Sequence, residues 1–176
     1  SSLLDHNRLR LEALPHLQAL AQKMNERVNL GILHQQRILI LAGSEKPNLP
    51  TIYSRFGRSV PMHCCALGKA MLAYLPPEAL EAALARQSFH RFTPYTLASR
   101  AALLEELEAI RRRGHAWDAE EHEAGIICCA VPILSRQGRV MGALSVTSTT
   151  ARTTLDALGA QAPTIKDIAA KIAAES

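Results

Sequence analysis

Four cysteines fall in two adjacent pairs, Cys64-Cys65 and Cys128-Cys129, with His63 beside the first pair and His122 shortly before the second. Thiols, imidazoles and carboxylates can hold zinc or set a nucleophile beside its base. His63, Cys64, His122 and Cys128 have the ligand types of a zinc site, but neither cysteine pair is a CxxC and nothing in the spacing obliges the two segments to meet. In an extended segment neighbouring side chains point to opposite faces, so His63 diverges from Cys64 and neither cysteine pair suits a vicinal disulfide. In a reducing compartment these thiols read as small buried hydrophobes. Gly68-Lys69 lacks the rest of a phosphate-binding loop, because His63 stands where a second glycine is needed and Ala70 where a hydroxyl is needed. Glu120-Glu121-His122 lacks the second histidine of a metalloprotease helix. The carboxylates Asp118 and Glu120 form a pair that any solvated acidic turn also carries. No catalytic constellation results, and neither a metal nor a cofactor is expected. One alternative stays open, a small cysteine- or zinc-dependent enzyme acting on a carboxylic acid.

What does emerge is an anion site. Ala66 and Gly68 fall where a helix starts, and unsatisfied backbone N–H groups there attract a carboxylate. In the segment Val140 to Thr147, the alternation of a strand puts Met141, Ala143, Ser145 and Thr147 on one face and Gly142, Leu144 and Val146 on the other. Two hydroxyls beside small residues suit the polar floor of a pocket, and they equally suit a solvated face.

These residues need a frame. Leu9, Leu11, Leu14, Leu17, Ala21 and Met24 have helical spacing, which predicts an amphipathic helix over about residues 7 to 26. Val28 to Leu33 and Arg37 to Ala42 flank His34-Gln35-Gln36 as a hairpin. A Pro-rich loop, Lys46 to Pro50, and a short extended piece around Ile52 follow. A helix is expected from Ala66 to Leu75, ended by Pro76, with Pro77 opening the next. Residues 87 to 97 look irregular. Ser99 caps a helix through Leu103, Leu104, Leu107 and Ile110, closed by Gly114. Ile126 to Leu134 and Val140 to Thr147 form an antiparallel pair around Ser135-Arg136-Gln137-Gly138. Leu155 to Ile172 is helical with a break at Pro163.

The chain has 176 residues, 48% of them hydrophobic and 20% charged, which excludes a disordered tail and fits one domain. Its formal charge of +4 is scattered and aromatics are 4% of residues, which argues against a nucleic-acid-binding face, and no helix-turn-helix is found. No apolar run approaches a membrane span, and the first residues lack the features of a signal peptide, so a cytoplasmic domain with no membrane partner is expected.

Three ordered blocks carry a resemblance. They are Tyr53-Ser54-Arg55-Phe56-Gly57-Arg58 to Pro61-Met62-His63-Cys64-Cys65-Ala66-Leu67-Gly68-Lys69-Ala70-Met71-Leu72-Ala73, Arg113-Gly114-His115-Ala116-Trp117-Asp118 running into Ile126-Ile127-Cys128-Cys129-Ala130-Val131-Pro132-Ile133, and Gly138-Arg139-Val140-Met141-Gly142-Ala143-Leu144-Ser145-Val146-Thr147. In this order and spacing they resemble the effector-binding half of IclR-type bacterial transcription regulators, across essentially the whole chain. The resemblance implies an α/β (α+β) fold, similar to GAF and PAS sensors, with a curved antiparallel sheet of about six strands flanked by helices. Residues 1–26 would be the end of the interdomain linker helix and residues 27–176 the effector-binding domain. Operator DNA would be bound by an N-terminal winged helix-turn-helix outside this chain, in a homodimer or homotetramer acting as a repressor.

The resemblance also places a ligand. Its carboxylate would meet the N–H groups of Ala66, Leu67 and Gly68, and Asp118, Cys128, Ser145 and Thr147 match the remaining pocket positions. Leu67 is larger than the alanine frequent in the family, and Thr147 adds a methyl where serine is common. An ionised Asp118 repels a carboxylate, so it would face a hydroxyl, keto hydrate or water at the ligand's other end. The effector implied is a small keto, hydroxy or sugar acid, bound without turnover.

Overall fold

The computed structural model describes residues 3–44 and 57–176. The expected Pro-rich loop, the extended piece at Ile52 and the Tyr53 to Phe56 part of the first block lie outside the described residues. Helix α1 (Leu3–Met24) leads into the hairpin β1 (Arg27–His34) and β2 (Arg37–Ser44), followed by the short β3 (Ser59–Val60). Helices α2 (Ala66–Leu72), α3 (Pro77–Leu84) and α4 (Arg100–Arg113) come next, then β4 (Ala116–Ala119), β5 (Ile126–Leu134) and β6 (Val140–Thr149), and finally α5 (Leu155–Gly159) and α6 (Ala162–Glu175). The strands form one curled, fully antiparallel sheet in the order β3-β2-β1-β6-β5-β4.

Local chemistry explains most boundaries. Gln35 and Gln36 both take positive φ in the two-residue β1–β2 turn, as a right-twisted hairpin requires. The Ser99 hydroxyl accepts the Ala102 N–H at 3.1 Å to open α4, and Gly114, at φ +88°, closes it in the left-handed conformation. The expected helix from Ala66 stops three residues early, at Leu72. Its carbonyls are finished by tight turns, Tyr74 N–H to Met71 O and Leu75 N–H to Leu72 O, because the residue before a proline leaves the helical region. Pro163 occupies the first turn of α6, where it removes no helical hydrogen bond, and so splits the last expected helix in two. Strand β4 was not foreseen from the spacing.

Side-chain alternation splits the sheet between two apolar layers. Leu30, Ile32, Ile127, Cys129, Val131, Leu144 and Val146 pack with Leu17 and Leu20 of α1 and Ile165 and Ile172 of α6. The opposite face gives Ala130 and Ala143 to a second cluster with α2 and with Leu103, Leu107 and Ile110 of α4. A bulge in the β1–β2 ladder between Leu30 and Gly31 reverses the alternation of β2, so Ile38 and Ile40 join the α2 layer and Ala42 the α1 layer. Leu9, Ala13, Leu17, Leu20 and Ala21 are buried, so the helix read as a linker is packed into the domain along most of its length.

Candidate functional site

The α2-facing side of the sheet carries two polar rows set by strand register. One runs Asp118, Cys128, Thr147, Arg27 across β4, β5, β6 and β1. The next runs Ala116, Ala130, Ser145, Asn29. The start of α2 closes over these rows and leaves a hollow of about 90 Å³, lined by Asn29, Ile40, Arg58, Val60, Cys65, Ala66, Leu67, Ile126, Cys128, Ser145 and Thr147. Two larger surface hollows, of about 430 and 310 Å³, contain none of the expected site residues. The choice between a pocket floor and a solvated face for β6 is therefore decided: Ser145 is 2% exposed.

Five expected residues, Ala66, Leu67, Cys128, Ser145 and Thr147, meet in this hollow. Two do not line it. The Gly68 N–H is taken by the Cys65 sulfur at 3.3 Å, while the Cys65 S–H donates to the Pro61 carbonyl at 3.2 Å. The Ala66 and Leu67 N–H groups are thereby the ones left without an acceptor among the described residues. Gly68 serves instead as a point of close approach, since a Cβ there would stand 2.3 Å from the Met62 carbonyl oxygen. Thr147 Oγ1 is bonded to Cys128 Sγ at 3.2 Å, whereas the Ser145 hydroxyl has no partner among the described residues.

Asp118 stands beside Cys128 on the same face of the sheet and is not among the residues lining the hollow. Its carboxylate accepts the Glu121 N–H at 2.8 Å. Burial, reinforced by the Glu121 charge and opposed by that hydrogen bond and Lys69, raises its pKa to about 7. Next to it, Lys69 of α2 is 1% exposed and bonds both Glu121 oxygens at 2.7 and 3.0 Å, and Glu121 also accepts the Ala119 N–H at 3.0 Å. Thr96 and Thr93 of the irregular segment donate to the Glu121 and Glu120 carbonyls, both at 2.6 Å, and so pin that segment over the loop. The Asp118 carboxyl, which the resemblance sets at the ligand's other end, is tied into this network beside Cys128.

His63 and His122 pack on the same Phe92 ring, and their other contacts are not those of metal ligands. His63 Nε2–H donates to the His90 carbonyl at 2.8 Å, His122 meets the Phe92 ring edge-on at 4.8 Å, and Cys64 is fully buried. Among the described residues no three His, Cys, Asp or Glu side chains are placed to hold a metal. Nor are the thiols poised as nucleophiles: burial pushes Cys65 up to about 12 and Cys128 well above the ordinary thiol range.

Sequence reasoning missed Asn29, Arg58 and Cys65 in the wall, and the Lys69–Glu121 pair behind it. Asn29 had a visible signal, a lone amide inside the apolar run Val28 to Leu33. Arg58 had none beyond its place in a family block.

Residues 1–174 match the family described as Bacterial transcriptional regulator IclR C-terminal. The chain is 38% identical over 144 residues to the HTH-type transcriptional regulator XynR of Escherichia coli K12, covering 82% of this chain and 57% of XynR. It is 31% identical over 168 residues to the HTH-type transcriptional repressor AllR of the same organism, covering 95% of this chain and 62% of AllR. It thus spans little more than half the length of these relatives. Among solved structures, the inducer-binding domain of PobR from Acinetobacter, a double mutant in complex with 3-hydroxybenzoic acid, superposes with a TM-score of 0.81 at 28% identity, over 92% of this chain and 95% of that one. No helix among the described residues is long and apolar enough to cross a membrane. The family and these relatives are transcriptional regulators, not enzymes, and this chain belongs to the C-terminal domain family of IclR-type bacterial transcriptional regulators.

Proposed function

We propose that this domain is the effector sensor of a cytoplasmic transcriptional repressor and that its ligand is a small organic acid. The observation that carries the reading is the hollow itself, where α2, β5 and β6 bring Ala66, Leu67, Cys128, Ser145 and Thr147 together around free amide hydrogens and a free hydroxyl. A carboxylate accepts the Ala66 and Leu67 N–H groups and the Ser145 hydroxyl. The hollow, of about 90 Å³, suits a small keto, hydroxy or sugar acid.

Nothing in the site turns the ligand over. Its effect on DNA comes from binding two conformations unequally, which typically supplies ~1–3 kcal/mol of coupling. Residues 1–26 carry that difference toward an N-terminal winged helix-turn-helix that holds operator DNA, and residues 27–176 form the sensor. The sign of regulation follows the repressor AllR, to which the chain is similar. Assembly is as a homodimer or homotetramer. Leu4 and Leu11, seven residues apart on α1 and 80% and 55% exposed, offer the apolar surface for it.

A thermal-shift screen of short keto, hydroxy and sugar acids, followed by calorimetry, tests the proposal. A binding acid should be recovered unchanged. Ser145→Ala should weaken its binding by roughly 1–3 kcal/mol. An unaltered dissociation constant in Ser145→Ala refutes the site.

A further inference from the structure

Two side chains in the wall of the hollow make no hydrogen bond or ion pair among the described residues. Asn29 sits in β1 between the buried Val28 and Leu30, is itself 7% exposed, and its Oδ1 is buried with no hydrogen-bond partner. A buried amide left in that condition is costly, and an Asn in a strand otherwise packed with aliphatic side chains calls for a partner the chain does not supply. Its cross-strand neighbour on β6 is Ser145, so the amide and the free hydroxyl stand side by side on one face.

Among the described residues, Arg58 is the only charged side chain lining the hollow. Arg8, Arg100, Arg113 and Arg152 each pair with a glutamate, whereas Arg58 makes no ion pair among the described residues. Glu121, the buried carboxylate behind the hollow, is held by Lys69. Arg37, the other cation on this edge of the sheet, is turned onto Ser59 through its Nε–H at 2.9 Å. Arg58 lines the same hollow as Ala66, Leu67 and Ser145, so a carboxylate bound there meets a guanidinium in its wall.

We infer that Arg58 is the charge partner of the effector's carboxylate and that Asn29, with Ser145, binds the oxygen on its second carbon, so these two side chains select short acids substituted at that carbon. The inference rests on the organic-acid reading above and adds what chooses among acids. An amide can turn either its oxygen or its NH₂ toward the ligand, so Asn29 accepts from a hydroxyl or donates to a keto oxygen, and both oxidation levels bind. Arg58 supplies what the short helix α2 does not, a full positive charge. Neutral analogues of the same shape bind more weakly, because they forgo the charge-assisted pair with the guanidinium.

The test uses the 176-residue domain and calorimetry with pyruvate, lactate, propionate and lactamide. The wild-type domain should bind pyruvate and lactate, propionate on the order of tenfold more weakly, and lactamide on the order of 100-fold more weakly. Arg58→Gln should lower pyruvate and lactate affinity 10- to 100-fold and remove the preference for lactate over lactamide, with Arg58→Lys recovering part of it. Asn29→Ala should erase the preference for lactate over propionate while leaving propionate binding unchanged, which a merely structural role would not do. Arg58 is half-buried and makes no ion pair among the described residues, so its variants should fold and decide the question even if Asn29→Ala does not. If Arg58→Gln binds both acids like the wild type while Ser145→Ala does not, the inference is overturned and the sensor reading stands. A wild-type domain that binds none of these acids overturns this inference, and whether longer acids bind then decides the sensor reading separately.

Discussion

Replacing Asp118 by Asn tests the electrostatics behind the hollow. In the folded domain burial holds the Asp118 carboxyl at about 7, against 3.8 when it is solvated. Between those values the native state binds more protons than the unfolded chain, so stability falls as pH rises. The contribution is fully present below the unfolded value and lost as pH passes the folded one. Three units at 1.4 kcal/mol each make this about 4 kcal/mol across the window. An Asn side chain keeps an oxygen to accept the Glu121 N–H and carries no proton to lose. Urea unfolding of both proteins from pH 4 to pH 8 should therefore show Asp118→Asn gaining steadily on the wild type, with the largest advantage above pH 7. The difference approaches the full 4 kcal/mol only if the amide packs as well as the protonated acid. A difference that does not change with pH refutes the reasoning, because it leaves no linked proton at Asp118.

Lys69→Met should cost roughly 3–5 kcal/mol by stranding the Glu121 carboxylate in the interior, while Lys69→Met with Glu121→Leu should recover most of that loss in denaturant titrations. A single variant within 1 kcal/mol of wild type by the same measurement contradicts the burial argument. Gly68→Ala should destabilise by about 1–3 kcal/mol, since its Cβ would need room 2.3 Å from the Met62 carbonyl oxygen, and calorimetric melting checks it.

Some of this protein was written in short stretches of its sequence. The β1–β2 hairpin followed from two apolar runs around a two-residue turn, and α4 from Ser99 and Gly114 at its ends, because caps and turns are satisfied by neighbours a few residues away. The alternation of Ser145 and Thr147 against Leu144 and Val146 was equally local. Which of those faces met a cavity was not, since a strand's pattern says that its faces differ and leaves their environments to whatever packs against them. Only the docking of α2 onto β5 and β6 made the serine face the inside. Asn29 joined Ser145 through inter-strand register, and Lys69 met Glu121 across 52 positions of chain. Local spacing settles conformation over the few residues a hydrogen bond or a side-chain period can span. A binding site is made where distant segments shut out water together, and only the folded chain decides which polar groups are left there unpaired.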